Sequence, residues 1–380
     1  MDGAIAISAL GAVVGLQFEK SISEDDANRL SELWASTLTH EPAETSISAA
    51  LAPASADVTA QDFSSLAAAL STRVTLTAIE QRKSDLVMIH ACGMALPDGR
   101  VVAFVGPSGR GKTTLARALG RHYGYVTDET VGIDSNGIVY PYRKPLSIIE
   151  DRSAPQIKTQ IAPGELDLLP IPSTALRIAA VVLLDRSETY TGSPEVSDVS
   201  MRDALVSLVP ELSYLPELPR PLQRVAGLID SVGGVRRLRY REANDVPVVV
   251  PDLIKPSRES SWNLIADDGP HHRLGAGEFV RETVLDQLEL EGEYVALRGR
   301  SVLVLNGIGP AIWDALVSPR TPTQITEFVV DRHGEPEDTD AALLVTSALS
   351  QMVDSGLVRS GSRRPEALDE RVVDATHRAE

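Results

Sequence analysis

The clearest chemical signature in the chain is Gly106-Pro107-Ser108-Gly109-Arg110-Gly111-Lys112-Thr113, with Thr114 directly behind it. The eight residues match G-x-x-x-x-G-K-[ST] in full, the spacing of a phosphate-binding loop. Glycines let backbone N–H groups turn inward around phosphate oxygens. The Lys112 ammonium supplies a point charge at the β- and γ-phosphates, and the Thr113 hydroxyl can ligate Mg²⁺. The expected ligands are ATP and Mg²⁺, and the expected chemistry is phosphoryl transfer. Two acids, Asp128 and Glu129, follow Tyr125-Val126-Thr127. At the end of a strand beside the loop they would meet the γ-phosphate. One would orient Mg²⁺ and the other would accept a hydroxyl proton, so Thr113, Asp128 and Glu129 form the candidate metal set. A helix-capping or solvated acidic pair is the competing reading.

The elements needed to position these groups are legible around them. Val101–Val105 is an apolar strand leading into the loop, and Leu115–His122 continues out of it as a helix, whose N-terminal dipole favours anions. Leu86–Cys92 reads as a strand joined to Val101–Val105 through a turn at Pro97-Asp98-Gly99. Further strands are expected at 125–127, 138–140, 146–149, 178–184 and 236–240, and helices at Met201–Leu208 and Leu222–Val232. Upstream, 4–18 is one or two strands and Ser23 starts a helix. Residues 41–60, rich in Ala, Ser, Thr and Pro, read as a loop or insert. A helix near Phe63–Leu70 leads into Arg73–Thr77, which fits either strand or helix. The loop's spelling also occurs in ABC-type transporter ATPases. Those need a Leu-Ser-Gly-Gly-Gln-like signature and a strand ending in Asp-Glu, whereas Val181–Leu184 is followed by Asp185 and Arg186.

In order, the chain presents a strand ending in His90, the phosphate loop, a short helix, then Thr127-Asp128-Glu129. This set resembles the bacterial HPr serine kinases and the phosphoenolpyruvate-carboxykinase-like P-loop fold behind them. The resemblance, over roughly residues 75–250, implies Asp128 as general base toward a Ser or Thr hydroxyl. It also implies Lys112 and Thr113 on the nucleotide and Mg²⁺, and His90 near the acidic pair, so that the catalytic set is Asp128, Lys112, Glu129 and His90. On its own, a His on an apolar strand is commonly a satisfied core residue. Glu129 stands where the family has a second Asp, and Thr113-Thr114 where it usually has Ser-Glu. The segment associated with that family's reverse reaction is not found, so phosphorolysis is not expected and HPr is not the expected substrate. Tyr142-Arg143-Lys144-Pro145-Leu146-Ser147 resembles the divergent HPr-kinase-like proteins found near peptide-maturation genes. Arg143 and Lys144 would contact phosphate or sit in a solvated loop, and Arg236, Arg237, Arg239 and Arg241 read as a solvated strand face.

Composition shifts near 251–285, and 255–285 is expected to be a linker. Beyond it come a hairpin over 293–305, a short helix at Pro310–Leu316 and a helix capped by Thr321 with Gln324 closing a capping box. A third helix over Asp340–Ser355 carries Leu344, Ala348, Leu349 and Met352 on one face. Residues 286–360 resemble the small PqqD-type domain, which binds leader peptides of ribosomally made natural products. That family implies a winged-helix-like fold taking an extended peptide as an added strand beside a helix. A winged-helix DNA reader is the rival, but the third helix carries no Arg or Lys to meet phosphates.

The bulk composition excludes several classes. The 380 residues are 43% hydrophobic and 4% aromatic with a formal net charge of −17, unlike a nucleic-acid binder. One cysteine, Cys92, excludes an intramolecular disulfide and fits a cytoplasmic location. No long apolar run predicts a membrane span, and Asp2 stands where a signal peptide would be basic. The expected fold is therefore an α/β P-loop kinase domain of the HPr kinase/PEP carboxykinase type plus a small winged-helix-like α+β C-terminal domain. The expected division is 1–75 (strands and helices, a separate domain or part of the kinase sheet), 76–254 (P-loop domain), 255–285 (linker), 286–360 (peptide-binding domain) and 361–380 (mobile tail). The expected function is an ATP-dependent kinase of a Ser or Thr on a precursor (leader) peptide. The rivals are a nucleotide-gated peptide chaperone and a kinase of a small molecule or folded protein. The sequence leaves a homo-oligomer open.

Overall fold

The computed structural model describes residues 4–107, 109, 111–149, 158–255, 261–265 and 274–361. They form two compact units divided near Trp262, with Gly299–Val302 grouped with the first. The chain opens on a hairpin of β1 (Ala4–Ala9) and β2 (Ala12–Phe18), paired antiparallel. The side chain of Ser23 accepts the Asp26 N–H and caps α1 (Glu24–Leu33). β3 (Thr45–Leu51) and β4 (Val58–Ala60) then extend the sheet in the order β1-β2-β3-β4. Residues 41–60, expected as a loop or insert, thus hold two strands. Their small residues carry too little hydrophobic contrast for a period of two to stand out, yet Ile47, Ala49 and Ala50 are buried.

Asp62 caps α2 (Phe63–Gln81), which runs through the ambiguous 73–77 stretch as helix. Leu66, Leu70, Val74 and Ala78, four apart, form its buried stripe, in one core with Leu16, Trp34 and Ile47. The boundary drawn after residue 75 therefore falls inside a single helix. Met88 and Tyr142 belong to the same core, so the N-terminal layer and the segments flanking the phosphate loop are packed together.

The apolar run at 86–92, expected as one strand, breaks at His90 into β5 (Val87–Ile89) and β6 (Ala91–Ala95). The rest of the unit comprises β7 (Arg100–Val105), α3 (Lys112–Leu119), β8 (Gly124–Thr127), β9 (Val131–Ile133), β10 (Val139–Tyr140), β11 (Leu146–Ile148) and β12 (Thr159–Ile161). It continues with β13 (Arg177–Arg186), β14 (Glu195–Val199), α4 (Met201–Leu208), β15 (Leu212–Ser213), α5 (Pro221–Ser231), β16 (Val235–Tyr240) and α6 (Val250–Leu253). β5 joins a small sheet, β10-β9-β5-β15, while β6 joins the main sheet, β14-β16-β13-β7-β6-β8. β7 is parallel to β13 and antiparallel to β6, with Val101–Val105 all buried, as a strand covered on both faces requires. β8 is antiparallel to β6 and so runs with β7. β7, β8 and β13 therefore deliver their carboxyl ends to one edge.

The second unit begins earlier than position 286. β17 (Trp262–Leu264) and β18 (Phe279–Arg281) lie inside the expected linker. β19 (Asp286–Leu290), β20 (Glu293–Arg298) and β21 (Ser301–Leu305) follow, in the sheet order β17-β19-β20-β21. Then come α7 (Gly309–Ala315), α8 (Pro322–His333), α9 (Ala341–Asp354) and β22 (Val358–Ser360), which pairs with β18. The Thr321/Gln324 capping box is present. α9 is rotated from the expected face: Val345, Leu349 and Met352 are buried with Trp313, Ile325 and Val329, while Leu343 and Leu344 are exposed. Residues 256–260 and 266–273 of the expected linker and 362–380 of the expected tail lie outside the described residues. Among the described residues no helix is long and apolar enough to cross a membrane.

Candidate active site

β7 runs straight into the phosphate loop, and the loop runs straight into α3. Gly109 and Gly111 have φ of +82° and +89°, a region that L side chains rarely adopt, so the two glycines permit the tight wrap. Ser108 and Arg110 lie outside the described residues. Pro107 and Gly109 are exposed at the loop's rim, Gly106 is buried at its base, and Thr114 faces solvent on the first turn of α3. Leu115, Ala116 and Leu119 fix the helix against the sheet. Lys112 folds back over the loop, its Nζ donating to the Gly106 carbonyl, and is 7% exposed. Burial draws its pKa down; the carboxylates of Glu211, Asp128 and Glu129 oppose that.

The acidic pair sits in a turn at the end of β8, held by the Thr127 hydroxyl, which accepts the N–H groups of Glu129 and Thr130 at 3.2 and 3.3 Å. Asp128 is 6% exposed and both of its oxygens are engaged. Thr113 Oγ1 donates to Oδ2 at 3.0 Å and Tyr125 Oη donates to Oδ1 at 3.1 Å. Donating its proton to Asp128 leaves the Thr113 oxygen's lone pairs free for a cation or phosphate-bound ligand. Lys144 closes the group, with Nζ 3.1 Å from Glu129 Oε2 and 3.6 Å from Asp128 Oδ1. Burial opposes the Lys144 charge, but Asp128 and Glu129 outweigh it and hold the ammonium above its ordinary pKa. Among the described residues the buried charged side chains are Lys112, Asp128, Lys144, Arg236 and Asp286; the first three converge here. Burying charge is costly unless it is paired, and the pairing of Lys144 with Asp128 and Glu129 offsets that cost; a buried charged cluster of this kind is a candidate functional site.

His90 is half-buried between β5 and β6, its backbone N–H donating to the Glu211 carbonyl at 2.7 Å. Burial, then the Lys112 charge, hold the imidazole below its ordinary pKa, against the pull of Glu129 and Glu211. The ring is therefore neutral at neutral pH and close enough to feel the loop lysine and the acidic pair. Of Arg143 and Lys144, neither lies in a solvated loop. Arg143 Nε donates to the Tyr125 carbonyl at 3.0 Å and braces β8, while Lys144 enters the site. Arg236, expected on a solvated face, is buried against Asp198 at 2.6 Å; Arg237, Arg239 and Arg241 are exposed.

Sequence reading missed Tyr125, Lys144 as a partner of the acids, Glu211 and Arg186. Arg186 ends β13, and a Cβ placed on Gly111 would lie 3.4 Å from its Nη1. Its Nε donates to the Arg241 carbonyl at 3.2 Å, which tethers the guanidinium beside Gly111. The sequence does show charge appearing after Leu184, but not that this strand is the parallel neighbour of β7. Glu211, in a short turn after α4, has no local signal.

The oxygen donors Thr113, Asp128 and Glu129 suit Mg²⁺, a hard cation that keeps water and phosphate oxygens in its shell. Among the described residues no group of three or more His, Cys, Asp or Glu side chains converges as a metal site. A cation held by Thr113, Asp128 and Glu129 would need its remaining ligands from nucleotide and water. No protein-family model and no curated protein matches the chain. Among solved structures, the HPr(Ser) kinase/phosphatase from Coxiella burnetii aligns with a TM-score of 0.26 and 14% identity, covering 44% of this chain and 93% of that one. A likeness that slight carries no argument.

Proposed function

We propose that this chain is an ATP-dependent kinase that phosphorylates a Ser or Thr hydroxyl of a precursor peptide held by its second unit. The observation that supports the reading best is Asp128, one buried carboxylate bonded to the Thr113 hydroxyl of the phosphate loop. A P-loop by itself indicates only nucleotide. A carboxylate fixed to the residue that ligates the nucleotide's cation lies where an acceptor hydroxyl would approach the γ-phosphorus. The loop N–H groups and Lys112 cradle the β- and γ-phosphates, and Arg186 adds charge from the neighbouring strand. The acceptor oxygen attacks the γ-phosphorus, the bond to the β-phosphate oxygen breaks, ADP leaves, and Asp128 takes the acceptor's proton. A Mg²⁺ ion held by Thr113 and the acidic pair would neutralise charge on the transferring phosphoryl group.

The peptide half of the reading rests on the second unit's resemblance to PqqD-type domains. Its sheet ends in β21, a strand with partly exposed residues, and α9 carries Leu343 and Leu344 out to solvent. A terminal strand offers backbone groups for strand addition, and exposed leucines suit an apolar peptide side chain. Tethering the acceptor raises its effective concentration at the kinase site. Mass spectrometry of a Ser/Thr-bearing peptide encoded beside the gene, incubated with the protein and ATP-Mg²⁺, tests the reading. One added phosphoryl group is expected, and a peptide that binds yet stays unmodified would overturn it. Asp128→Asn should lower transfer by roughly 100- to 10,000-fold while nucleotide still binds.

A further inference from the structure

The acidic pair already has a cation. Lys144 is 3% exposed, its ammonium lies within 4 Å of both carboxylates, and it donates to the Pro145 carbonyl at 3.2 Å. It is also held from behind. Two residues upstream, Tyr142 is fully buried in the N-terminal core, stacked on Trp34 with ring centroids 6.3 Å apart and its hydroxyl 3.0 Å from Thr75 Oγ1. Arg143 bonds the Tyr125 carbonyl. The backbone of 142–144 is thus pinned on both sides, which fixes the root of the Lys144 side chain beside the acids. The carboxylates of Asp128, Glu129 and Glu211 act on the Lys112 ammonium, and the first two also on that of Lys144.

Resting on the kinase reading above, we propose that Lys144 is the resident counter-ion of Asp128 and Glu129, a positioning residue that keeps a divalent cation out of the site until nucleotide brings it. A second cation at the acids would meet the ammonium at close range, in surroundings where water screens poorly. Phosphate oxygens shift that balance. They add negative charge and the ligands that the protein lacks, so the divalent ion binds as a nucleotide complex. Lys144 meanwhile holds both acids in place between turnovers.

Mn²⁺ binding to the full chain, followed by electron paramagnetic resonance, tests this without any phosphoryl transfer. Wild type should bind Mn²⁺ weakly alone and take up one ion with the non-hydrolysable analogue β,γ-imido-ATP. Lys144→Met should tighten nucleotide-free Mn²⁺ binding by roughly tenfold or more, and Lys144→Arg, which keeps the charge, should not. A tight nucleotide-free Mn²⁺ site in wild type that Asp128→Asn abolishes would overturn the proposal, whether or not Lys144→Met folds. So would a folded Lys144→Met protein with unchanged Mn²⁺ affinity. A protein that shows the expected Mn²⁺ pattern but phosphorylates no peptide would sink the kinase reading and leave the role of Lys144 standing.

Discussion

At the scale of single residues, the site's chemistry turns on a few atoms whose surroundings can be tested one at a time. Arg186 reaches the loop at Gly111 from the end of β13 and brings a guanidinium charge beside it. For the proposed kinase reaction, removing the charge in Arg186→Met should lower kcat/KM for ATP by about 100-fold, as loss of a preorganised charge at a transition state does, with the melting temperature unchanged. Equal kinetics in the variant would remove Arg186 from the machinery. His90 offers a pH test. Its folded pKa lies below the ordinary 6.5 because burial and Lys112 disfavour the imidazolium. The unfolded chain, with the ordinary value, therefore binds the proton first as pH falls. Stability is full above the ordinary value and declines as pH drops through it toward the folded value. Thermal melting between about pH 8 and pH 5 should show that decline, and His90→Gln should flatten it.

At the scale of elements, legibility followed the range of the interactions. The phosphate loop, its strand and its helix could be read because their geometry depends on residues adjacent in sequence: glycines where φ is positive, apolar residues where both faces are covered. The capping box at Thr321 was legible for the same reason. The strands at 45–60 were not, since Ala and Ser give almost no hydrophobic contrast. Nor was the break at His90, because the two halves of that apolar run are claimed by different sheets through partners far along the chain, the carbonyls of Glu211 and Glu129. Lys144 and Arg186 entered the site through strand order, which no local pattern encodes. A short-range feature should also have a short-range effect. Thr321→Ala removes the acceptor for the Gln324 N–H and should cost about 1 kcal/mol. Hydrogen exchange should report this as faster exchange in α8 and its packing partner α9, with α3 unaffected; unchanged α8 amides would mean the cap is idle.

At the scale of the whole molecule, the question left open by sequence was whether the first 75 residues stand apart from the phosphate-loop domain. Their packing argues for one cooperative body. α2 crosses the boundary, Arg82 Nη1 donates to the Leu10 carbonyl at 2.6 Å, and Tyr142 plants the segment carrying Lys144 in the N-terminal core. Cys92 makes this measurable. It is the chain's single cysteine, fully buried on β6 beneath the acidic pair, and burial followed by the Asp128 charge pushes its thiol well above the ordinary pKa. A thiol reagent should therefore leave it untouched until the main sheet opens. Leu70→Ala empties a fully buried position on α2, far from Cys92 in sequence, at a cost of about 2–5 kcal/mol. If the layers unfold together, the urea midpoint for Cys92 labelling should fall with the midpoint for loss of secondary structure. A labelling midpoint that stays put while secondary structure melts early would make the N-terminal layer an independent domain. Lys144 would then be held in place without that layer's help.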